Sequence, residues 1–465
     1  MPTIARHAVN TPAARRLRAL GGVGVRALKA SSGLLSFLFS SVILSVAIGF
    51  LSLTAAPTLH AETFVVDSTT ALDDALIEAF DGDEIVLKPG HYQLQPVIES
   101  AIVMRGEGNA DDIVIEGPGK GAVVTVRVPG VRLENFTVKG YGSDLYAKDA
   151  GVRVMDGADG IVIRGLVIEG PGFGVRADRL EGLVLEGTSI TGDAKMHVLD
   201  RGDGVFLNYV KRPKLTENRV RNVRDGFYFE NVEESYCEGN FFTGAQYGIH
   251  WMYTRGDFAT KNRAAGVRGG YALMSSRGVT LKDSETSGNI EFGVLVNVCE
   301  GCVVDGNRIR DVHNPKGNPA LDTEGKGIHI YGPGTSKIHG NQVLHSDIGI
   351  GVAMGGEGNV LWENAFIDNG IQVRYVGETP LEWSFEGRGN FWSTHMTWDV
   401  DHDGIADTPY QPNDSLDRIF WIYPEARFLM ESPVVALLRW LADQFEIDRG
   451  KGVTDSHPLA SWEVR

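Results

Sequence analysis

Gly-Ile-His-Trp-Met-Tyr, residues 248–253, is one copy of a run that recurs along the chain. A glycine opening a short apolar stretch stands at Gly204, Gly226, Gly248, Gly270, Gly293, Gly327 and Gly349, at intervals of 22, 22, 22, 23, 34 and 22 residues. Fourteen or fifteen residues after each lies a polar turn residue: Asn218, Asn240, Asn262, Ser284, Asn307, Asn341 and Asn364. The phase survives a 12-residue insertion before Gly327, so one structural unit has been copied many times. A period near 22 built from short β-like runs is the signature of a solenoid.

Within each run the residues alternate. Ile249 and Trp251 fall on one face, His250 and Met252 on the other. The same frame sets Val205 and Leu207 against Phe206 and Asn208, and Phe227 and Phe229 against Tyr228 and Glu230. It sets Tyr271 and Leu273 against Ala272 and Met274, Val294 and Val296 against Leu295 and Asn297, and Ile328 and Ile330 against His329 and Tyr331. The first pair is always apolar and belongs inside. The recurring Asn is placed to stack from coil to coil and satisfy turn backbone. Looser openers at Gly121, Gly151 and Gly174 carry the pattern back toward residue 85, and no long helical period precedes residue 425. The expected fold is an all-β solenoid: a parallel β-helix of about ten to twelve coils, right-handed being the usual form, with a C-terminal helical segment. Residues 62–376 form the coils, 377–424 an irregular acidic segment, and 425–465 the helical segment and tail.

The chain has 465 residues, 58 of them Gly, and a formal net charge of -16. Residues 1–61 hold six Lys or Arg and no acidic residue, so the remainder is more acidic still. Such a body excludes nucleic acid as a partner, because phosphate binding needs a basic face. The basic start, the apolar run from Leu34 to Leu53 and the small residues after it read as an export signal cleaved near Ala61. That run is long enough for an uncleaved anchor to be the alternative. Either way the body is exported. Of the three cysteines, Cys299 and Cys302 form a Cys-x-x-Cys turn, read as a local disulfide or as a soft-metal pair.

The outward column carries less polarity than a solvated sheet face should. Phe206, Tyr228, Leu295, His329 and Tyr331 read as a partner surface, the alternative being that loops or the C-terminal segment cover them as plain packing residues. His250, Met252 and Met274 bring imidazole and thioether together, a donor set that suits copper, Cu(I) above all. Farther on, Trp-Asp-Val-Asp-His-Asp-Gly-Ile-Ala-Asp (398–407) offers Asp399, Asp401, Asp403 and Asp407 around a Gly404 turn, with Ile405 donating its carbonyl. This matches the first nine positions of a Ca²⁺ loop and departs at the twelfth, where Tyr410 stands. A plain acidic turn is the competing reading. Pro424 to Phe445 shows helical spacing with a wide apolar face, either capping the open end of the solenoid or lying on a membrane or a membrane partner.

Several stretches resemble the NosD family: Gly-Asp-Gly-Val-Phe-Leu (202–207), Tyr-Gly-Ile-His-Trp-Met-Tyr (247–253) and Ala-Leu-Met-Ser (272–275). So does a long non-repetitive C-terminal block: Gln-Val-Arg-Tyr-Val-Gly (372–377), Glu-Trp-Ser-Phe-Glu-Gly-Arg-Gly-Asn-Phe-Trp-Ser (382–393), the acidic loop, Pro-Asn-Asp (412–414) and Asp-Ser-His-Pro-Leu (455–459). The resemblance implies a non-catalytic periplasmic accessory protein working with the permease and ATPase subunits of an ABC transporter. It implies copper taken from a lipoprotein chaperone and delivered during maturation of nitrous oxide reductase. It implies membrane association through that partner or the C-terminal helix. It points to the coil bearing His250 and Met252 and the coil bearing Met274, while the Cys-x-x-Cys pair lies outside its pattern.

Two other readings stay open. β-Helices also serve as polysaccharide lyases, hydrolases and glycan-binding proteins, whose sites need converging carboxylates. Asp203 and Asp225 precede successive Gly openers and could converge, although turn roles suit them better. A pure docking scaffold without a metal of its own would share the partners but not the copper.

Overall fold

The computed structural model describes residues 61–314, 325–375, 377, 379–413, 423–429, 432–445 and 452–462. The expected export signal therefore lies outside the described residues. Among these residues, every coil of the solenoid contributes short strands to three parallel sheets of 13, 12 and 13 strands. The 12-stranded sheet holds the longest strands, among them Asp225–Glu230, Tyr247–Met252, Gly269–Met274, Phe292–Asn297 and Lys326–Tyr331. The stack thus runs slightly longer than the ten to twelve coils the repeats imply. It begins at Thr63–Val66 and ends at Phe391–Trp392.

Register follows the repeat. Phe227, Ile249, Tyr271 and Val294 pair in succession, as do Phe229, Trp251, Leu273 and Val296. All eight are no more than 2% exposed and fill the bore. The glycine column is set by close approach. A Cβ on Gly226 would sit 2.4 Å from the carbonyl oxygen of Gly248, and one on Gly248 would sit 2.7 Å from that of Gly270. Only a residue without a side chain lets the coils stack there.

The polar ladder is a chain of directed hydrogen bonds. Oδ1 of Asn240 accepts from the backbone N–H (3.0 Å) and Nδ2 (2.9 Å) of Asn218. Asn240 donates onward in the same way to Asn262, and the pattern continues through Ser284, Asn307, Asn341, Asn364 and Asn390. Each Nδ2 also donates to a carbonyl of the preceding coil, as Asn240 does to Leu215 at 2.9 Å. These side chains are buried, so every turn amide along this edge finds its partner inside the protein.

Two features differ from the sequence reading. A helix, α1, spans Thr69–Glu78 and covers the first coil with Leu72 and Ala75. Ser68 caps it, accepting from the Ala71 N–H. At ten residues it is too short for a strong helical period to stand out. At the other end lies a second helix, α2 (Pro433–Gln444), and the tail 452–462 closes the stack. Val453–Thr454 pairs with Leu381–Glu382, and the Leu459 N–H donates to the Asn390 carbonyl at 2.9 Å. Asp455 supplies the last rung, its Oδ2 accepting from the Asn390 N–H at 2.7 Å and the Trp392 indole at 2.8 Å. Val453 in turn donates to Oδ1 of Asn413 at 2.9 Å, so the two roots of segment 414–451 meet. On α2 the side chains of Val434, Leu437, Leu438 and Trp440 are exposed, Trp440 by 57%, and Val435 is buried. No helix among the described residues is long and apolar enough to cross a membrane.

The ladder makes a stability prediction. Asn240→Ala strands donors and acceptors on two neighbouring rungs and should cost about 2–4 kcal/mol. Chemical denaturation measures it, and a loss below about 1 kcal/mol would show that the rungs are not coupled. A second prediction concerns pH. Burial pushes the Asp455 carboxyl up to about 6 despite the Trp392 and Asn390 donors. A raised carboxyl binds its proton more tightly in the folded state, so its stabilising effect is full below about 4 and lost as pH rises through about 6. Between pH 5 and pH 7.5 the stability difference should move by about 1 kcal/mol in favour of Asp455→Asn. A difference independent of pH would contradict the placement of this carboxyl.

Candidate metal site on the outer face

The 22-residue register brings His250, Met252 and Met274 together on the outer face of the 12-stranded sheet. Tyr228, His250 and Ala272 stack in one column, and Glu230, Met252 and Met274 in the next. His250 Nε2 lies 3.1 Å from Met274 Sδ. Its Nδ1 lies 3.0 Å from Oδ2 of Asp225, at the start of the preceding coil's strand. The rings of Tyr228 and Tyr247 stand edge-on to the imidazole, with centroids 4.8 and 5.2 Å away.

The site is more enclosed than an open soft face would be. His250 is 8% exposed, while Met252 and Met274 are half-buried and form its solvent-facing members. Enclosure comes from side chains at strand starts and in corner loops, which the alternation alone does not place. Phe206 packs with Ala150 and Phe173, joined by Leu145 and Tyr228. Leu295 packs with Ala272 and Phe292, joined by Tyr247 and Met274. Phe206 and Leu295 are therefore packing residues and not free docking surface. Tyr228 and His329 are half-buried, and Tyr331, 41% exposed, is the open member of the expected partner surface.

Sequence reasoning missed Asp225 as the partner of His250. The signal was available: Asp225 stands three residues before Tyr228, whose register partner is His250. Behind it, Asp203 accepts from the Asp225 N–H at 3.1 Å and pairs with Arg224, Nη2 to Oδ2 at 2.6 Å. Burial pushes Asp203 up to about 6, against the pull of Arg224. Burial likewise pushes the Tyr228 phenol up to about 12 and raises Tyr247, so both rings are neutral walls. Asp203 and Asp225 do converge, but Asp203 is fully buried and tied to Arg224. A carboxyl so placed does not reach a glycan, so these two do not form an acid–base pair for glycoside cleavage.

The Cys299–Cys302 pair is not a disulfide here. Both are free, buried thiols turned into the bore. Cys299 Sγ donates to the Leu273 carbonyl at 3.4 Å and Cys302 Sγ to that of Ser276 at 3.7 Å. Their mutual hydrogen bond, together with burial, pushes the Cys299 thiol up, and the same bond pulls the Cys302 thiol down.

In the acidic loop, Asp399, Asp401 and Asp403 bring one carboxylate oxygen each within 4.8 Å of one another. Asp399 accepts from the Asp403 and Gly404 N–H groups, and Asp407 accepts from Val400 at 2.9 Å, so Asp407 closes the base of the loop. Ile405 is bridged to Leu459 of the closing tail.

The fold is that of a right-handed parallel β-helix protein. Residues 186–397 match the family model described as periplasmic copper-binding protein (NosD), and residues 100–265 match the right-handed β-helix region. A probable ABC transporter binding protein NosD of Stutzerimonas stutzeri is 37% identical over 378 residues, covering 80% of this chain and 86% of that protein. Its namesake in Pseudomonas aeruginosa is 38% identical over 389 residues, covering 83% and 90%. The chain belongs to the NosD family. Solved β-helices also overlap, including the polygalacturonase of Erwinia carotovora (12% identity, TM-score 0.45, 66% of this chain and 96% of that one). A lacto-N-biosidase of Eubacterium ramulus overlaps at 12% identity and TM-score 0.47, covering 66% and 68%. These partial overlaps say nothing of activity.

Proposed function

We propose that this protein is a non-catalytic, exported accessory subunit. It holds Cu(I) at His250, Met274 and Met252 while working with the permease and ATPase of an ABC transporter. In this reading copper comes from a lipoprotein chaperone and serves the maturation of nitrous oxide reductase. The observation that carries it is the bare contact of His250 Nε2 with Met274 Sδ, backed by Asp225 on the other ring nitrogen. Imidazole and thioether form a soft donor set suited to Cu(I), and a carboxylate behind the imidazole orients it. The two relatives are named for binding to an ABC transporter, which supports the transporter partnership. The α2 helix, with Leu437, Leu438 and Trp440 exposed, supplies a face for that partner at the membrane.

The acidic loop adds a structural role. Three carboxylates held together by backbone donors suit a weak Ca²⁺ site that pins the closing tail through Ile405 and Leu459.

Anaerobic Cu(I) titration of the mature Cys-free protein against a chromophoric competitor tests the copper reading. One tight site is expected, weakened about 10–100-fold by His250→Ala or by Met252→Ala with Met274→Ala. Binding untouched by these substitutions, or none at all, would favour a docking scaffold. For calcium, with a dissociation constant of about 10⁻⁴ M, 10 mM Ca²⁺ should stabilise the protein by about 2.7 kcal/mol over EGTA. Asp401→Asn should abolish that difference, and a melting temperature indifferent to EGTA would rule the ion out.

A further inference from the structure

One edge of the solenoid is built against its own backbone preferences. From residue 179 to residue 354, each coil leaves the 12-stranded sheet through a single left-handed residue. The N–H of that residue donates to the next coil, as Tyr253 does to the Met274 carbonyl at 3.1 Å. Glycine and asparagine take this conformation most readily. Here the column holds Tyr209, Tyr253, Val298 and Met354, at φ of 54°, 58°, 48° and 59°. A β-branched residue such as Val298 is an outlier in that region. All four side chains are also exposed, by 53%, 59%, 48% and 71%.

The other corners of the coil supply the comparison. Among the described residues, their left-handed columns carry glycine or a polar or charged residue: Glu217 and Lys261 in one, Asn222 and Asp311 in another, Arg212 and Glu234 in a third. Turn geometry therefore does not call for apolar side chains. The four large residues alternate, coil by coil, with Asn231, Ser275 and Gly332. Knobs thus stand about 10 Å apart with notches between them. This ridge runs directly beside the candidate metal site, since Tyr253 follows Met252 and Ser275 follows Met274.

We propose that the ridge is the docking surface for a small protein domain that carries the soft metal ion to the site. The proposal rests on the copper reading and names where the carrier binds. From Tyr209 to Met354 the ridge spans about 29 Å at the strand spacing, close to the width of a small domain. A standard interface, at about 800 Å² per partner, is of similar width. Two residues beyond the ridge runs a second column: Lys211, Glu233, Arg255, Arg277 and Glu300. Charges of both signs suit the polar rim of a protein contact, whereas an anionic bilayer calls for basic residues alone. Met252 and Met274 are the solvent-facing members of the metal site, so a domain seated on the ridge covers them. The ion then passes from the donors of the carrier to these thioethers by ligand exchange, with no change of oxidation state.

Tyr209→Asn combined with Tyr253→Asn removes two knobs and leaves residues that favour the left-handed corner, so the melting temperature should not fall. The probe is the lipoprotein chaperone in detergent, loaded with Ag(I) as a surrogate for Cu(I). Ag(I) affinity of the double variant, measured against a small-molecule chelator, should equal that of the wild type. The rate of Ag(I) transfer from the chaperone should fall at least about 10-fold, as for the loss of interface anchors. Lys261→Asn, at another corner, should change neither. Undiminished transfer to the double variant overturns the proposal and leaves the copper reading intact. So does a wild type that takes Ag(I) from the chelator but not from the chaperone. Wild-type binding to phosphatidylglycerol vesicles, or a wild-type dimer in sedimentation, that the double variant loses while transfer persists assigns the ridge to lipid or to a second copy and overturns it too. A wild type that takes Ag(I) from neither source overturns the copper reading, and the carrier with it.

Discussion

The fold depends on the direction of one row of hydrogen bonds. Each carboxamide from Asn218 onward accepts at Oδ1 from the rung before it and donates to the rung after it. A row with that polarity cannot end on another amide without leaving donors unmet. It ends on Asp455, a side chain able only to accept once ionised. The closing tail is therefore fixed by the same rule that stacks the coils. The cost is a carboxyl held at about 6 in a fully buried place.

How far this was legible depended on sequence distance. A period of 22 fixes which residues are neighbours, and strand alternation fixes which face they take, so the bore and the ladder could be read from the letters. The His250–Met252–Met274 cluster follows from the same register. What escaped was whatever the repeat does not carry. Asp455 lies 65 residues beyond Asn390 with no repeat between them. The enclosure of Phe206 and Leu295 comes from Leu145, Phe173 and Phe292, which sit in loops or at strand starts. Cys299 and Cys302 turn inward because the corner they occupy faces the bore, which spacing alone does not state.

Along the outer face the chemistry changes from coil to coil while the backbone does not. Arg176 lies between the rings of Phe173 and Phe206, its guanidinium 4.9 and 4.1 Å from their centroids, and pairs with Asp178. In register beyond it come Phe206, Tyr228 and His250. A charged, internally paired coil thus gives way through aromatic rings to a soft donor pair in a few strand spacings. The rigid stack makes this possible, because each column position can vary without disturbing its register. Asp225 belongs to this logic: it reaches forward one coil and converts a packing histidine into an oriented one.

Asn413 and Val453 meet through a hydrogen bond at the closing tail, so the two ends that flank segment 414–451 lie side by side. A branch with touching roots is topologically a plug-in cassette. It can be shortened, lengthened or exchanged for one with another apolar face, and the barrel behind it keeps every rung.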